Sequence, residues 1–295
     1  MWQRKDSDKS LKNRMIRLIK NALIVLFLVF CIINIMDWLI EDDGAWKPDY
    51  PKTDLGSIVS KADLTKEDYH TIFVQTGLGQ DAVDELLQIK AGNRREIEFE
   101  KYQDDFFSSG NYECKPIAVI VHEERMRDKD GNTVKGFEIP NLKNGDILIT
   151  KATHSLGWRH GHAAIVTDAA RGETLEAILL GSPSILQNTS KWRTYPSFIH
   201  LRLKDSEKID PEKIAEYAKT EIRGIPYGLF SGIPVKAPEE IKQTQCSHLV
   251  WYPYEHFGYD LDSDGSWLVT PKDIAHSDLL EVVQVYGVNP EEIWP

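Results

Sequence analysis

The sequence predicts an α+β body held at its N-terminus by one apolar helix. Three observations carry this reading. Residues 18–40 form the only long apolar run in the 295-residue chain, unbroken from Ala22 to Ile33. Residues 57–113 carry helical patterns broken by Gly and Thr, whereas from Pro116 onward short β-rich runs alternate with turn residues. Helices segregated from a series of strands indicate an antiparallel sheet with packed helices, and hence α+β.

The apolar run has the length of a membrane span, since 23 residues cover ~30 Å as a helix. Seven Lys or Arg against two Asp fill the first 20 residues, and Glu41-Asp42-Asp43 follow the run. No small-x-small cleavage site comes after it, and Phe30 ahead of Cys31 is too bulky for a lipoprotein cleavage site. The pattern reads as an uncleaved single-pass signal anchor over 18–40. By the positive-inside tendency, the basic tail 1–17 is cytoplasmic and the C-terminal body extracytoplasmic. Residues 41–56, with Pro48, Pro51 and Gly56 and no periodicity, read as a juxtamembrane linker.

Beyond residue 20 the chain holds 28 basic against 44 acidic residues. So acidic a body argues against nucleic acid as a partner, because phosphate binding needs the opposite sign. Cys31 falls in the apolar run, leaving Cys114 and Cys246, too few for a disulfide framework. A bond between those two would silence either as a nucleophile.

Within the helical segment 57–113, Thr65 is the expected N-cap of a helix to about Gln75. Thr76-Gly77-Leu78-Gly79 turns into a second helix from about Gln80 to Lys90. Asn93 to Gln103 continues as a third, broken by Ser108-Ser109-Gly110-Asn111. The remaining domain, 114–295, is expected to contain strands at 117–122 and 133–139 around an Asp128–Asn132 turn, then at 147–150, 163–167, 174–178, 198–203 and 280–286. Asp210-Pro211 caps a helix to about Glu221, and another helix opens near Cys246.

Two places in this domain carry chemistry. The turn-rich Ser155-Leu156-Gly157-Trp158-Arg159-His160-Gly161 delivers His162 to the head of an apolar strand, at a sheet rim where catalytic side chains commonly sit. Cys246 stands at the first turn of a helix, where the dipole favours thiolate, and a neighbouring imidazole can hold the proton. A cysteine and a histidine form the working pair of thiol hydrolases.

In order, Gly145-Asp146-Ile147-Leu148, Gly161-His162-Ala163-Ala164-Ile165-Val166, Leu175-Glu176-Ala177 and Cys246-Ser247-His248-Leu249-Val250-Trp251 resemble the circularly permuted branch of the NlpC/P60 papain-like cysteine hydrolases, the YiiX/YebB-like proteins. The stretches 259–265 and 269–274 are similar to the YycO-like subgroup. The resemblance spans roughly residues 142–287. It implies Cys246 as nucleophile, His162 as base and Glu176 as the group orienting the imidazole. It also implies that Tyr227 of Gly224-Ile225-Pro226-Tyr227 lines the substrate site. Gln245 and His248, on either side of the nucleophile, replace the Asp and Gly common in relatives and so bear on the substrate pocket. If 162–178 is one hairpin, a five-residue loop over 167–171 sets His162 directly opposite Glu176 and Val166 opposite Gly172.

The expected function is therefore that of a membrane-anchored extracytoplasmic thiol hydrolase cutting amide bonds, with cell-wall peptide as the family-level substrate and no cofactor. Alternatives are a non-catalytic or substrate-sequestering binding module on the same fold, and a hydrolase or acyltransferase acting on lipid acyl esters. No metal is expected. His154, His160 and His162 lack a further ligand at zinc spacing. Asp260, Asp262, Asp264 and Gly265 mimic the start of a calcium loop, but its twelfth position is Pro271. Asn188-Thr189-Ser190 is a formal glycosylation acceptor.

Overall fold

A computed structural model describes residues 2–40, 44–90, 92–108, 110–118, 120–155, 158–204, 210–235 and 240–295. The acidic flank Glu41-Asp42-Asp43, Ser109 of the expected helix break and Leu156-Gly157 ahead of His162 lie outside the described residues.

Helix α1 (Trp2–Ile40) contains the single described window long and apolar enough to cross a membrane, Asn13–Ile35, and none of that window is buried. The expected linker is not free. Gly44 lies directly against the Glu124 carboxylate, the Trp46 N–H donates to the Gly287 carbonyl at 2.9 Å, and Leu55 is buried. Its lack of periodicity reflects an extended chain packed on the body, a state that leaves no helical or alternating signature.

Short α2 (Gly56–Val59) precedes three longer helices, α3 (Lys66–Thr76), α4 (Gln80–Leu87) and α5 (Asn93–Phe107). Thr65 and Asp68 form a reciprocal capping box that starts α3, and Gly77 at φ 71° ends it in the left-handed region. Strand β1 (Asn111–Pro116) pairs with β2 (Val121–Arg127), so the chain turns where the sequence suggests a strand over 117–122. The Asp128–Asn132 turn forms, with Gly131 N–H donating to the Asp128 carbonyl, but 133–139 is not a strand. There Phe137 packs against Phe198 and stacks on Tyr286, which takes the run out of any ladder.

The main sheet follows: β3 (Ile147–Thr150), β5 (His162–Asp168), β6 (Glu173–Glu176), β7 (Ile185–Asn188), β8 (Phe198–Leu203) and β9 (Leu280–Tyr286), with β4 (Thr153–Ser155) joining β2 instead. Its order is β7-β6-β5-β3-β8-β9, antiparallel throughout. Helices α6 (Pro211–Tyr217), which runs on into a π-helical turn over Ala218–Ile222, α7 (Cys246–His256) and α8 (Pro271–Ala275) pack with the sheet, and a 3-10 turn over Thr189–Thr194 follows β7. Together these make an α+β fold.

Alternation along β5 divides the core. Ala163 and Ile165 face a cluster with Leu249, Val250 and Ile274 of α7 and α8, while Ala164 and Val166 face Leu148, Trp192 and Phe198. The segment α2–α5 has its own core of Ile72, Leu78, Val83 and Phe99, which takes in Val283 of β9. Leu78 bridges to Gln284, and Gly79 and Val285 exchange backbone bonds with Val283 and Gly77. These helices therefore cover the exposed edge of β9, which otherwise offers unpaired backbone groups. That edge is the one far from β5 and β6.

Strand registers fix which end of the sheet matters. His162 pairs with Thr150, Ile149 with Ile199, and Phe198 with Tyr286. The head of β5 and the tail of β9 thus lie at one end, and Gly287, which receives the chain arriving from α1, is at that same end.

Candidate active site

His162 reaches its position through Gly161, whose φ of 69° and tight contacts admit no side chain. A Cβ there would lie 2.5 Å from the Trp294 ring and 2.6 Å from the Thr150 carbonyl oxygen. The ring that follows is buried and stacks on Trp192, with centroids 5.5 Å apart and planes 9° from parallel.

Glu176 meets this ring with Oε2 2.8 Å from Nε2. The expected register is wrong by two residues. Val166 pairs with Thr174, and Thr167 is accommodated in a β-bulge, so continuing the ladder puts Glu176 across from Ala164 and diagonal to His162. A two-residue shift preserves the face of the sheet. The carboxylate stays on the His162 side and reaches along the strand past the small Ala164.

Four donors saturate the two carboxylate oxygens: His162, the Lys191 ammonium, the Trp192 indole N–H at 3.1 Å and the Thr174 hydroxyl at 2.8 Å. Complete burial opposes ionisation, but the His162 bond and the Lys191 charge override it and hold the carboxyl down at about 2.

Cys246 is the first residue of α7. Gln245 caps the helix, its side-chain oxygen accepting from the Ser247 N–H at 3.0 Å and hydroxyl at 2.9 Å. The Cys246 N–H is among the donors that a helix leaves without an internal acceptor. Cys246 acts on the His162 imidazole as a hydrogen-bonding and electrostatic neighbour, one of the influences that set its protonation. With Nε2 engaged by Glu176, Nδ1 is the ring nitrogen left for sulfur. Burial alone would lower the His162 pKa, but the Cys246 and Glu176 partners raise it to about 9. The imidazolium is thus the resting form at neutral pH, between a carboxylate and a sulfur.

Of the three residues expected around the substrate, Tyr227 is close enough to Cys246 to interact with it electrostatically. Burial pushes its phenol well above the ordinary tyrosine range, and the Cys246 charge adds to that. Backbone bonds of Gly228 and Pro226 to Thr244 hold Pro226-Tyr227 beside the segment leading into Cys246. Gln245 is engaged with the Ser247 groups and the Val269 carbonyl. His248 is packed inside the protein against Gly232, its Nδ1 3.2 Å from the Thr244 hydroxyl, and burial lowers its pKa to about 4.

The three histidines near the site go to different partners. His160 Nε2 lies 3.0 Å from the Ser155 hydroxyl, and burial lowers its pKa to about 4. His154, fully buried, has Nε2 3.3 Å from the Cys114 sulfur. Among the described residues, the one group with metal-ligand spacing is Asp262, Asp264 and Asp273. Asp260 instead accepts from the Trp251 indole, and the Asp273 carboxylate already caps α8 through Thr270.

Sequence reasoning missed Lys191 and Trp192, both in the 3-10 turn Thr189–Thr194 that follows β7. It also missed the pairing of Cys114 with His154, and the role of Asp146. That carboxylate accepts from His200 Nε2 at 2.7 Å, from Arg202 and from the Lys143 N–H, and Arg202 continues to Asp81 of α4. This knot ties the helical segment to the sheet. All three cysteines are free thiols. Compared with known proteins, the chain matches no protein-family model and no curated protein sequence.

Proposed function

We propose that this protein is a thiol hydrolase of the permuted NlpC/P60 papain-like type, anchored by α1 with its body outside the cytoplasmic membrane. The observation that carries the reading is one buried imidazole whose Nε2 lies 2.8 Å from a buried carboxylate and whose protonation is influenced by a cysteine at a helix N-terminus.

In the reaction, the Cys246 sulfur adds to a carbonyl carbon while the His162 imidazolium gives its Nδ1 proton to the departing amine or alcohol. Water then attacks the thioester; His162 takes its proton, the acid is released, and the Cys246 thiolate beside the imidazolium is restored. Glu176 keeps the ring in plane and stabilises its charged form. The developing oxyanion falls near the Cys246 N–H and the positive end of α7. Tyr227, held protonated by burial, can donate to the same oxygen.

Amide bonds of cell-wall peptides are the leading substrate class, on the resemblance of the motif order. The test is incubation of the full chain with purified wall peptides and, separately, with acyl lipids, followed by mass analysis. Product that disappears in Cys246→Ser supports the hydrolase. Retention of intact ligand by both chains supports a binding module instead.

A further inference from the structure

The catalytic rim is also the part of the body that carries its most exposed large apolar side chains outside α1. Phe230 and Trp267 are 76% and 79% exposed, and Trp158, Leu180 and Leu229 are exposed as well. They stand on neighbouring loops. The Leu180 loop is stitched to the Tyr227 loop, with Tyr227 N–H donating to Ser182 and the Gly224 and Ser184 backbones bonded to each other. The loop holding Leu229 and Phe230 joins the Trp267 loop through the Val235 N–H and Trp267 carbonyl, and the next turn of that loop meets Ser247 through Val269. Trp158 lies just ahead of His162.

This rim is at the sheet end that receives the chain from the anchor. Trp46 bonds Gly287 beside the tail of β9. Gly44 rests on Glu124, whose carboxylate grips Arg159 at 2.7 and 3.0 Å, three residues before His162. Only residues 41–43 separate α1 from Gly44, and so short a piece of chain spans at most about 14 Å. The bilayer surface is therefore within reach of the face that carries the site. Aromatic residues with large exposed apolar area are the side chains that settle at the interface of a bilayer.

We propose that Trp158, Leu180, Leu229, Phe230 and Trp267 dock on the membrane in which α1 is anchored, so that the cleft opens onto the lipid surface and takes substrates presented there. The proposal rests on α1 being an anchor and does not require catalysis.

The test uses the full chain reconstituted into phosphatidylcholine vesicles, with and without brominated acyl chains. The Trp267 signal is obtained by difference from Trp267→Phe. Brominated lipid should quench that signal by about twofold or more, and aqueous iodide should leave it nearly unchanged. In Leu229→Ser/Phe230→Ser, Trp267 should become accessible to iodide. An alkaline wash reports insertion separately: a chain washed off the vesicles removes the anchor and the proposal with it. A retained chain whose Trp267 is quenched by iodide and not by bromine overturns the docking alone. Shielding from both quenchers, the result of a second copy covering the patch, overturns it as well.

Discussion

Two thiol–imidazole–carboxylate groupings stand among the described residues, and they differ in geometry. At the rim, His162 uses Nε2 for Glu176 and so leaves its other nitrogen for Cys246. In the small sheet, the same nitrogen of His154 lies 3.3 Å from the Cys114 sulfur and 3.8 Å from the Glu124 carboxylate, which is itself held by Arg159. Cys246 opens a helix, whereas Cys114 sits within strand β1. Proton transfer to a leaving group calls for an imidazole held from behind and free to act in front. The first grouping meets that condition. The second has the same residue types but makes both of these contacts through one nitrogen, so composition alone does not identify a relay.

The largest expected effect separates the two thiols. Cys246→Ser or His162→Ala should lower hydrolysis by about 10³-fold or more, whereas Cys114→Ser should change it by less than about twofold. Product formation by mass measures both.

The carboxylates come next. Glu176→Gln keeps the shape but removes the charge behind His162, and should lower kcat/KM by about 10²-fold. Glu176→Ala strands Lys191 and should cost about 3–5 kcal/mol in denaturant unfolding. Glu124→Ala removes the carboxylate that holds Arg159, which keeps its bond to the Lys151 carbonyl, and should cost less than Glu176→Ala and leave the folded protein active. Equal catalytic losses from Glu124→Gln and Glu176→Gln would break the distinction.

The pH dependence sharpens it further. The folded His162 pKa of about 9 lies above its unfolded value of 6.5. Its contribution to stability is therefore full below pH 6.5 and is lost as pH rises toward 9. Glu176 has the opposite sign: lowered from 4.5 to about 2, it contributes above pH 4.5 and loses that contribution as pH falls toward 2. Activity should decline above about pH 9 as the imidazolium deprotonates, and Glu176→Gln should move that limb to lower pH because it removes a charge that raises the His162 pKa. A limb that stays in place in the variant would remove Glu176 from the role.

Much of this architecture is legible in the sequence where local chemistry decides. Phe198–Leu203 and Leu280–Tyr286 form strands with the expected bounds, and Thr65 caps α3 as its position suggests. What is illegible depends on distant or irregular contacts. The bulge at Thr167 changes the register by two residues, which loop length alone does not reveal. Strands β4 and β7 are short and partly polar, so neither breaks out of the turn-rich background. Lys191 and Trp192 reach Glu176 from the 3-10 turn after β7, a contact between separate segments that sequence spacing does not reveal. Gln245 and His248 flank Cys246 in sequence, yet one caps the helix and the other packs inside.

A smaller effect concerns labelling. Because Cys114 has its own imidazole, iodoacetamide should modify it as well as Cys246. His154→Gln should slow labelling at Cys114 by about 3- to 10-fold without altering hydrolysis. Peptide mapping of each site checks this, and unchanged labelling at Cys114 would show that its histidine contact is purely structural.

The same reagent gives the most direct test of the central claim, that His162 activates Cys246. In the full chain carrying Cys114→Ser, the rate of Cys246 alkylation at pH 7 is compared with and without His162→Ala, and circular dichroism verifies the fold. The account predicts alkylation slower by about 10²-fold when the imidazole is removed. Equal rates in the two folded chains would contradict it.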